Sequence, residues 1–311
     1  MTRQRWAVGV DFGGTNIKCG LVDRRGRVVR SFVLSSKRFG RPAAFVEGIH
    51  RAVEQLAASA GLTIARLAGV GIGVPGPVDA RRGIVHMLVN VPGWREVPLA
   101  HRLRARVRRP VFIENDANLV TLGEWRCGAG RGARALIGLT LGTGVGGGLV
   151  LNGSLYRGVS GVAGELGHTV LDLRGPRCAC GARGCLEAHV QAAAIIRMAR
   201  AANVAYRGRL TPERLADLAR RGNRQAHAVW QQVGRLLGRG LAGVVNLLNP
   251  DRIVIGGGVA NAWPLFAQAL QRTIRAEAMP VSARSVRVVR AQLGEQAGII
   301  GAAVLVWDKT R

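Results

Sequence analysis

The chain has 311 residues, 48% of them apolar and 5% aromatic, with 44 glycines and a formal charge of +27. That balance excludes a coiled coil and a disordered chain, and it suits an α/β protein with many tight turns. All but three of the 45 basic residues are Arg, the exceptions being Lys18, Lys37 and Lys309. So uniform a bias reads as the coding composition of the source genome; attraction to polyanions is the other reading of the same charge.

In chain order, 6–10 reads as a buried strand ending in Asp11-Phe12-Gly13-Gly14-Thr15. A returning strand follows over 17–22 and a third over 28–34, with the polar 23–27 as a hairpin loop. Phe45, Ile49, Val53 and Leu56 recur at helical spacing and predict a helix over 42–61, stopped by Gly61. A strand over 67–74 runs into Pro75-Gly76-Pro77. A helix over 99–106, a strand over 111–114 and a helix over 117–128 come next. Strands over 136–141 and 147–151 flank a glycine-rich turn. Helices are expected over 186–202, 211–221 and 225–248. A strand over 253–255 then meets Gly256-Gly257-Gly258, before a helix over 263–278, a strand over 286–290 and a helix over 297–308. Strand clusters followed by helices recur in both halves, which predicts two α/β domains with a cleft between them.

The uncharged stretch 135–156 is interrupted by seven glycines, and the apolar run 297–307 is too short to span a bilayer. Arg3 and Arg5 lead directly into the first strand, so no leader peptide is expected. A cytoplasmic protein without membrane contact follows.

Five segments carry chemistry. In the first, Gly13 and Gly14 let a backbone approach a phosphate, Thr15 offers a hydroxyl, and Asp11 would act beside phosphates through Mg²⁺. An ordinary hairpin turn fits the same residues. In the second, Gly142-Thr143-Gly144 sits in a strand-turn-strand setting with no Lys-Ser/Thr of a Walker loop; it suits a phosphate or simply close strand packing. The third is Glu114-Asn115-Asp116-Ala117-Asn118, at a strand-to-helix junction. Asp116 is there either a helix cap or the base that takes a proton from a hydroxyl during phosphoryl transfer. In the fourth, His168, Cys178, Cys180 and Cys185 fall close enough in sequence to close a structural tetrahedral Cys₃His zinc site. Glu165 and Glu187 flank these ligands, either as acceptors for sugar hydroxyls or as solvated surface acids. The fifth, a strand entering Gly257-Gly258, fits an adenosine moiety against bare backbone or a generic turn.

Together these segments resemble the ROK family of bacterial sugar kinases and regulators, over nearly the whole chain. The resemblance implies a two-lobed hexokinase/actin-like (ribonuclease H-like) α/β fold. One lobe would comprise 1–118 with 293–311, the other 119–292 with the zinc loop, and the C-terminal helix would return to the first lobe. It implies ATP-dependent phosphorylation of a hexose, glucose foremost, with ATP, Mg²⁺ and a structural Zn²⁺. Asp116 would be the base. Gly76, Asn90, Asn115, Asp116, Glu165, His168 and Glu187 would meet the sugar. Asp11, Gly13, Gly14, Thr15, Lys18, Gly142, Thr143, Gly144, Gly257 and Gly258 would hold the nucleotide. His168 would ligate zinc through one ring nitrogen and the sugar through the other, with Cys178, Cys180 and Cys185 completing the metal site. A homodimer or homotetramer is expected, and no specific nucleic acid, since the ten residues before Asp11 are too few for a helix-turn-helix. The alternatives are a kinase for N-acetylglucosamine, N-acetylmannosamine, mannose, fructose or allose, a polyphosphate-dependent glucokinase, and a sugar-responsive regulator.

Overall fold

The runs 6–10 and 67–74 are apolar on both faces, and such strands need cover on both sides of a sheet. The computed structural model describes residues 5–88, 91 and 93–310. Asn90 lies outside the described residues. The elements are β1 Trp6–Phe12, β2 Asn16–Asp23, β3 Val28–Ser35, α1 Pro42–Ala58, β4 Leu67–Val74, β5 Val78–Asp79, β6 Ile84–Met87 and β7 Arg95–Val97. There follow α2 Leu99–Val107, β8 Val111–Asn115, α3 Asp116–Cys127, β9 Leu136–Leu141, β10 Val145–Leu151 and β11 Ser154–Tyr156. The remainder is α4 Leu186–Val190, α5 Ala192–Ala201, α6 Pro212–Arg220, α7 Arg224–Leu248, β12 Arg252–Gly256, α8 Trp263–Glu277, α9 Pro280–Ser285, β13 Arg287–Arg290 and α10 Ala297–Lys309.

The chain divides into two compact units. The first takes Met1–Gly132, Leu155–Ala163 and Gln292–Arg311; the second takes Ala133–Ser154 and Gly164–Ala291. These bounds differ from the expected 118/119 division. Helix α3 belongs to the first unit because α10 packs along it. The excursion Leu155–Ala163 belongs there too, for a reason given below.

In the first unit the sheet order is β3-β2-β1-β4-β8. β1 runs antiparallel to β2 and parallel to β4, and β4 runs parallel to β8. Every residue of β4 is buried, as are most of β1. One cover is α1, which buries Phe45, Ile49, Val53 and Leu56. The other is α10, buried from Ala297 to Trp307. Gly9 and Gly71 make that approach possible: a Cβ on either would overlap the backbone carbonyl of Ile299 or Ala302. Gly71→Ala is therefore expected to cost about 3 kcal/mol or more of stability, as overpacking against rigid backbone does. Urea unfolding followed by Trp fluorescence measures it, and a loss below about 1 kcal/mol would contradict this packing.

The second sheet repeats the arrangement in the order β11-β10-β9-β12-β13, with β9 antiparallel to β10 and parallel to β12. Its core is carried by α7 and α8, where Trp230 stacks on Phe266 with ring centroids 6.0 Å apart. The helix expected over 186–202 is broken at Gln191 (φ −64°, ψ 160°) into α4 and α5. The Ala192 N–H donates to the Gly142 carbonyl at 2.9 Å, so a tertiary bond replaces the helical one. Among the described residues, no helix is long and apolar enough to cross a membrane.

Candidate active site and metal centre

In the first unit the candidate residues gather at the carboxyl ends of neighbouring strands. The register pairs Asp11 with Gly73 and Gly73 with Glu114, so the end of β1 and the end of β8 lie on the same edge of one sheet. That edge is where ligands of α/β sheets bind. The Gly13-Gly14-Thr15 turn joins β1 to β2, with Gly13 N–H bonded to the Asn16 carbonyl at 2.9 Å. Gly14 and Thr15 are exposed. Ser36 braces the turn: its Oγ donates to the Gly14 carbonyl at 2.8 Å and its N–H to the Thr15 carbonyl at 3.0 Å. Burial pushes the Asp11 carboxyl above the usual carboxylate range, and Lys18, opposite it on β2, pulls it back in part. A cation beside Asp11 would offset the same burial, which fits a magnesium-binding role. Lys18 itself pairs with Glu295 at 3.0 Å.

At the β8–α3 junction the helix cap falls one residue before Asp116. Asn115 is the cap: its Oδ1 accepts the Asn118 N–H at 3.1 Å. Its Nδ2 donates to the Gly76 carbonyl at 3.3 Å, which joins two predicted sugar residues through one amide. Gly76 turns between β4 and β5 with φ +96°. Asp116 is the first helical residue, half-buried, with Oδ1 accepting the Ala117 N–H at 2.8 Å. A carboxylate in the first turn of a helix interacts favourably with the positive end of the helix dipole.

In the second unit the turn between β9 and β10 is only Gly142-Thr143-Gly144, because β10 begins at Val145 and not at Gly147 as expected. Thr143 is exposed. Gly257, with φ +84°, packs so closely on Leu141 that a Cβ would overlap its backbone. The two glycine segments read separately from sequence thus meet at the end of β9. A cavity of about 60 Å³ opens beside Gly258, lined in part by Glu213, Asp217, Arg220 and Trp230.

The candidate metal centre is built between Gly164 and Glu187. His168 closes a single 3₁₀ turn, and short backbone bridges at Val170–Cys185 and Arg177–Arg183 fold the loop onto it. The ligand atoms of His168, Cys178, Cys180 and Cys185 all lie within 4.8 Å of one another. His168 Nδ1 is 3.6 Å from Cys178 Sγ, and Cys180 Sγ is 3.6 Å from Cys185 Sγ. A tetrahedral zinc with ligands at about 2.0–2.3 Å sets ligand-to-ligand edges of roughly 3.5–3.8 Å, so these residues fit that ion. As free thiols the three differ. Burial, then hydrogen bonds with Cys180 and Cys178, push Cys185 up to about 12. The Ala182 backbone holds Cys180 below the ordinary thiol range.

The acids beside the centre are tied to it. Glu187 Oε1 accepts from Cys178 Sγ at 3.6 Å, and its Oε2 accepts the Val145 N–H at 2.9 Å. Glu187 therefore links the metal loop to the glycine turn. Glu165 Oε2 lies 3.8 Å from His168 Nε2, the ring nitrogen turned away from the cysteines. The structure brings Glu165, His168 and Glu187 together in the second unit and Gly76, Asn115 and Asp116 together in the first.

A model of the ROK family matches residues 7–309. The chain belongs to the ROK family. It is 38% identical to a glucokinase of Thermotoga maritima, over 97% of each chain. The crystal structure of a ROK hexokinase from Thermus thermophilus superposes with a TM-score of 0.81 at 35% identity, covering 98% of each chain. A ROK family glucokinase from Streptomyces griseus, solved with glucose and AMPPNP, gives a TM-score of 0.80 at 34% identity, over 97% of this chain and 99% of that one. The fold is thus the two-lobed, actin-like one of ROK hexokinases.

Two polar anchors of this ROK chain escape a sequence reading. Glu124, 1% exposed, accepts N–H groups from Ala129 at 2.9 Å, Gln292 at 3.1 Å and Leu293 at 2.7 Å, and so ties the start of the C-terminal return to α3. Glu114, fully buried, pairs with Arg157 at 2.6 Å, which is why the excursion Leu155–Ala163 belongs to the first unit. An acid placed inside an apolar strand or helix is the one signal that marks such positions in advance.

Proposed function

We propose that this protein is an ATP-dependent hexokinase that converts glucose to glucose 6-phosphate. The observation that carries the reading is the β8–α3 junction, where Asp116 begins a helix at the end of a strand and Asn115 is fixed on Gly76. The 38% identity to a glucokinase over nearly the full length supports glucose as the acceptor.

In this reading Asp116 accepts the proton of the attacking hydroxyl and orients it for in-line transfer. Gly76, Asn90, Asn115, Glu165, His168 and Glu187 hold the other hydroxyls. Gly13, Gly14, Thr15 and Lys18, with Gly142, Thr143 and Gly144, receive the phosphates, Asp11 holds Mg²⁺ indirectly or directly, and Gly257 and Gly258 lie against the adenosine. Magnesium, when bound, neutralises charge on the phosphates. A zinc held by His168, Cys178, Cys180 and Cys185 would have all four positions filled by protein and would brace the loop. A cytoplasmic homodimer or homotetramer completes the reading, and light scattering after gel filtration measures the assembly.

The test is a panel of hexoses with ATP and Mg²⁺, scored by kcat/KM, with polyphosphate as the competing donor. Glucose with ATP is expected to rank first. Higher kcat/KM with another hexose, or with polyphosphate, would replace that assignment, and no turnover of any hexose would end the kinase reading.

A further inference from the structure

Glu114 is a carboxyl group with no exposure to water, two residues before the proposed base. Its Oε2 accepts from Arg157 Nε at 2.6 Å. Its Oε1 accepts from Asn118 Nδ2 and from the Asn115 N–H, both at 3.1 Å. One carboxyl thus grips the backbone on the entry side of Asp116 and a side chain of the first helical turn on the exit side. Breaking a buried pair by removing one partner leaves an uncompensated group, so neither member can be lost without the other moving.

Arg157 sits on a segment that would otherwise be a plain connection. The chain leaves the second sheet through β11, and Arg157 follows at once. The Ala163 N–H closes the loop on the Arg157 carbonyl at 3.0 Å, and the next residues are Gly164 and Glu165. A connection from β11 to the metal loop has no packing need to reach a carboxyl on β8.

We propose that Arg157 is a positioning residue for phosphoryl transfer: through Glu114 it sets the direction of the Asn115–Asp116 peptide and so aims the base. The inference rests on Asp116 being that base. Misplacing a reacting group by about 1 Å costs on the order of a hundredfold in rate. The cost falls on kcat and not on KM for ATP, because the groups that Glu114 holds, Asn115 and Asn118, lie outside the nucleotide turns.

The structure also supplies the means of testing it. Arg157 lines a cavity of about 600 Å³, with Asp79, Arg81, Tyr156, Ser160 and Lys309 among its other walls. The guanidinium is therefore reachable by a small solute. In Arg157→Ala, kcat is expected to fall at least about tenfold while KM for ATP stays within about twofold. Guanidinium chloride at millimolar concentration is expected to restore a measurable part of kcat in Arg157→Ala, and none when Glu114→Gln is added. The double variant should lose no more than the worse single one, since the two residues act as one unit. Arg157→Lys, which keeps the charge and loses the planar fork, should fall between wild type and Arg157→Ala, and it carries the test if the Ala variant does not fold. An unchanged kcat with only a lowered melting temperature would overturn the proposal. So would a kcat loss that guanidinium leaves untouched and that adds to the Glu114→Gln loss. Absence of hexose turnover by the wild type would instead overturn the proposed function, and this inference with it.

Discussion

Asp116→Asn is expected to lower kcat for glucose at least about a thousandfold, within the 10²–10⁴ span typical of a general base, while the glucose dissociation constant changes about twofold or less. The substitution keeps shape and hydrogen-bond acceptance. An Asn oxygen can still take the Ala117 N–H that Asp116 Oδ1 accepts at 2.8 Å, so α3 should start where it does now. What is lost is the ability to accept a proton. A coupled assay for ADP gives kcat, and titration calorimetry with glucose alone gives the binding constant. Turnover within about tenfold of wild type would remove Asp116 from the chemistry and leave it the lesser role of a first-turn acid at a helix dipole.

The second large effect concerns the metal loop. Elemental analysis is expected to find one zinc per chain in the wild type and none in Cys185→Ser. That variant, or wild type stripped by a strong chelator, should lose about 10–100-fold in kcat/KM for glucose, the range seen when the support of a metal site is removed. The reason is the place of Glu187, which lies 3.6 Å from Cys178 Sγ on the metal loop and also accepts the Val145 N–H. Without the ion the four ligands have no reason to stay within 4.8 Å, and the carboxyl beside them loses its seat. The loss should appear largely in KM for glucose. Full activity with no bound metal would show that the loop holds its shape by backbone bonds alone.

Much of this arrangement is legible in the chain, and the exceptions have physical causes. Asp11, Asn115 and Asp116 sit at strand ends that continuous apolar runs and capping residues mark clearly, and the four metal ligands announce themselves by spacing. The break at Gln191 does not, because the bond that replaces the helical one comes from Gly142, far away in sequence. The strands β5, β6 and β7 are two to four residues long, too short for a period to show. The pairing of Glu114 with Arg157 spans 43 positions. Only the oddity of an acid closing the run Val111-Phe112-Ile113 hints that a partner must exist.

The return of α10 to β1 and β4 bears on how the protein is made. A chain emerges from the ribosome in order, at about 5–20 residues per second, and domains fold as units. All of the second unit, 133–154 and 164–291, is synthesised before Ala297 appears. The first unit begins emerging earlier, yet the face of β1 and β4 that carries Gly9 and Gly71 stays uncovered until 297–309 is out. The half of the protein that starts first is thus the half that finishes last, and its two apolar strands are the surface a nascent chain must keep from aggregating.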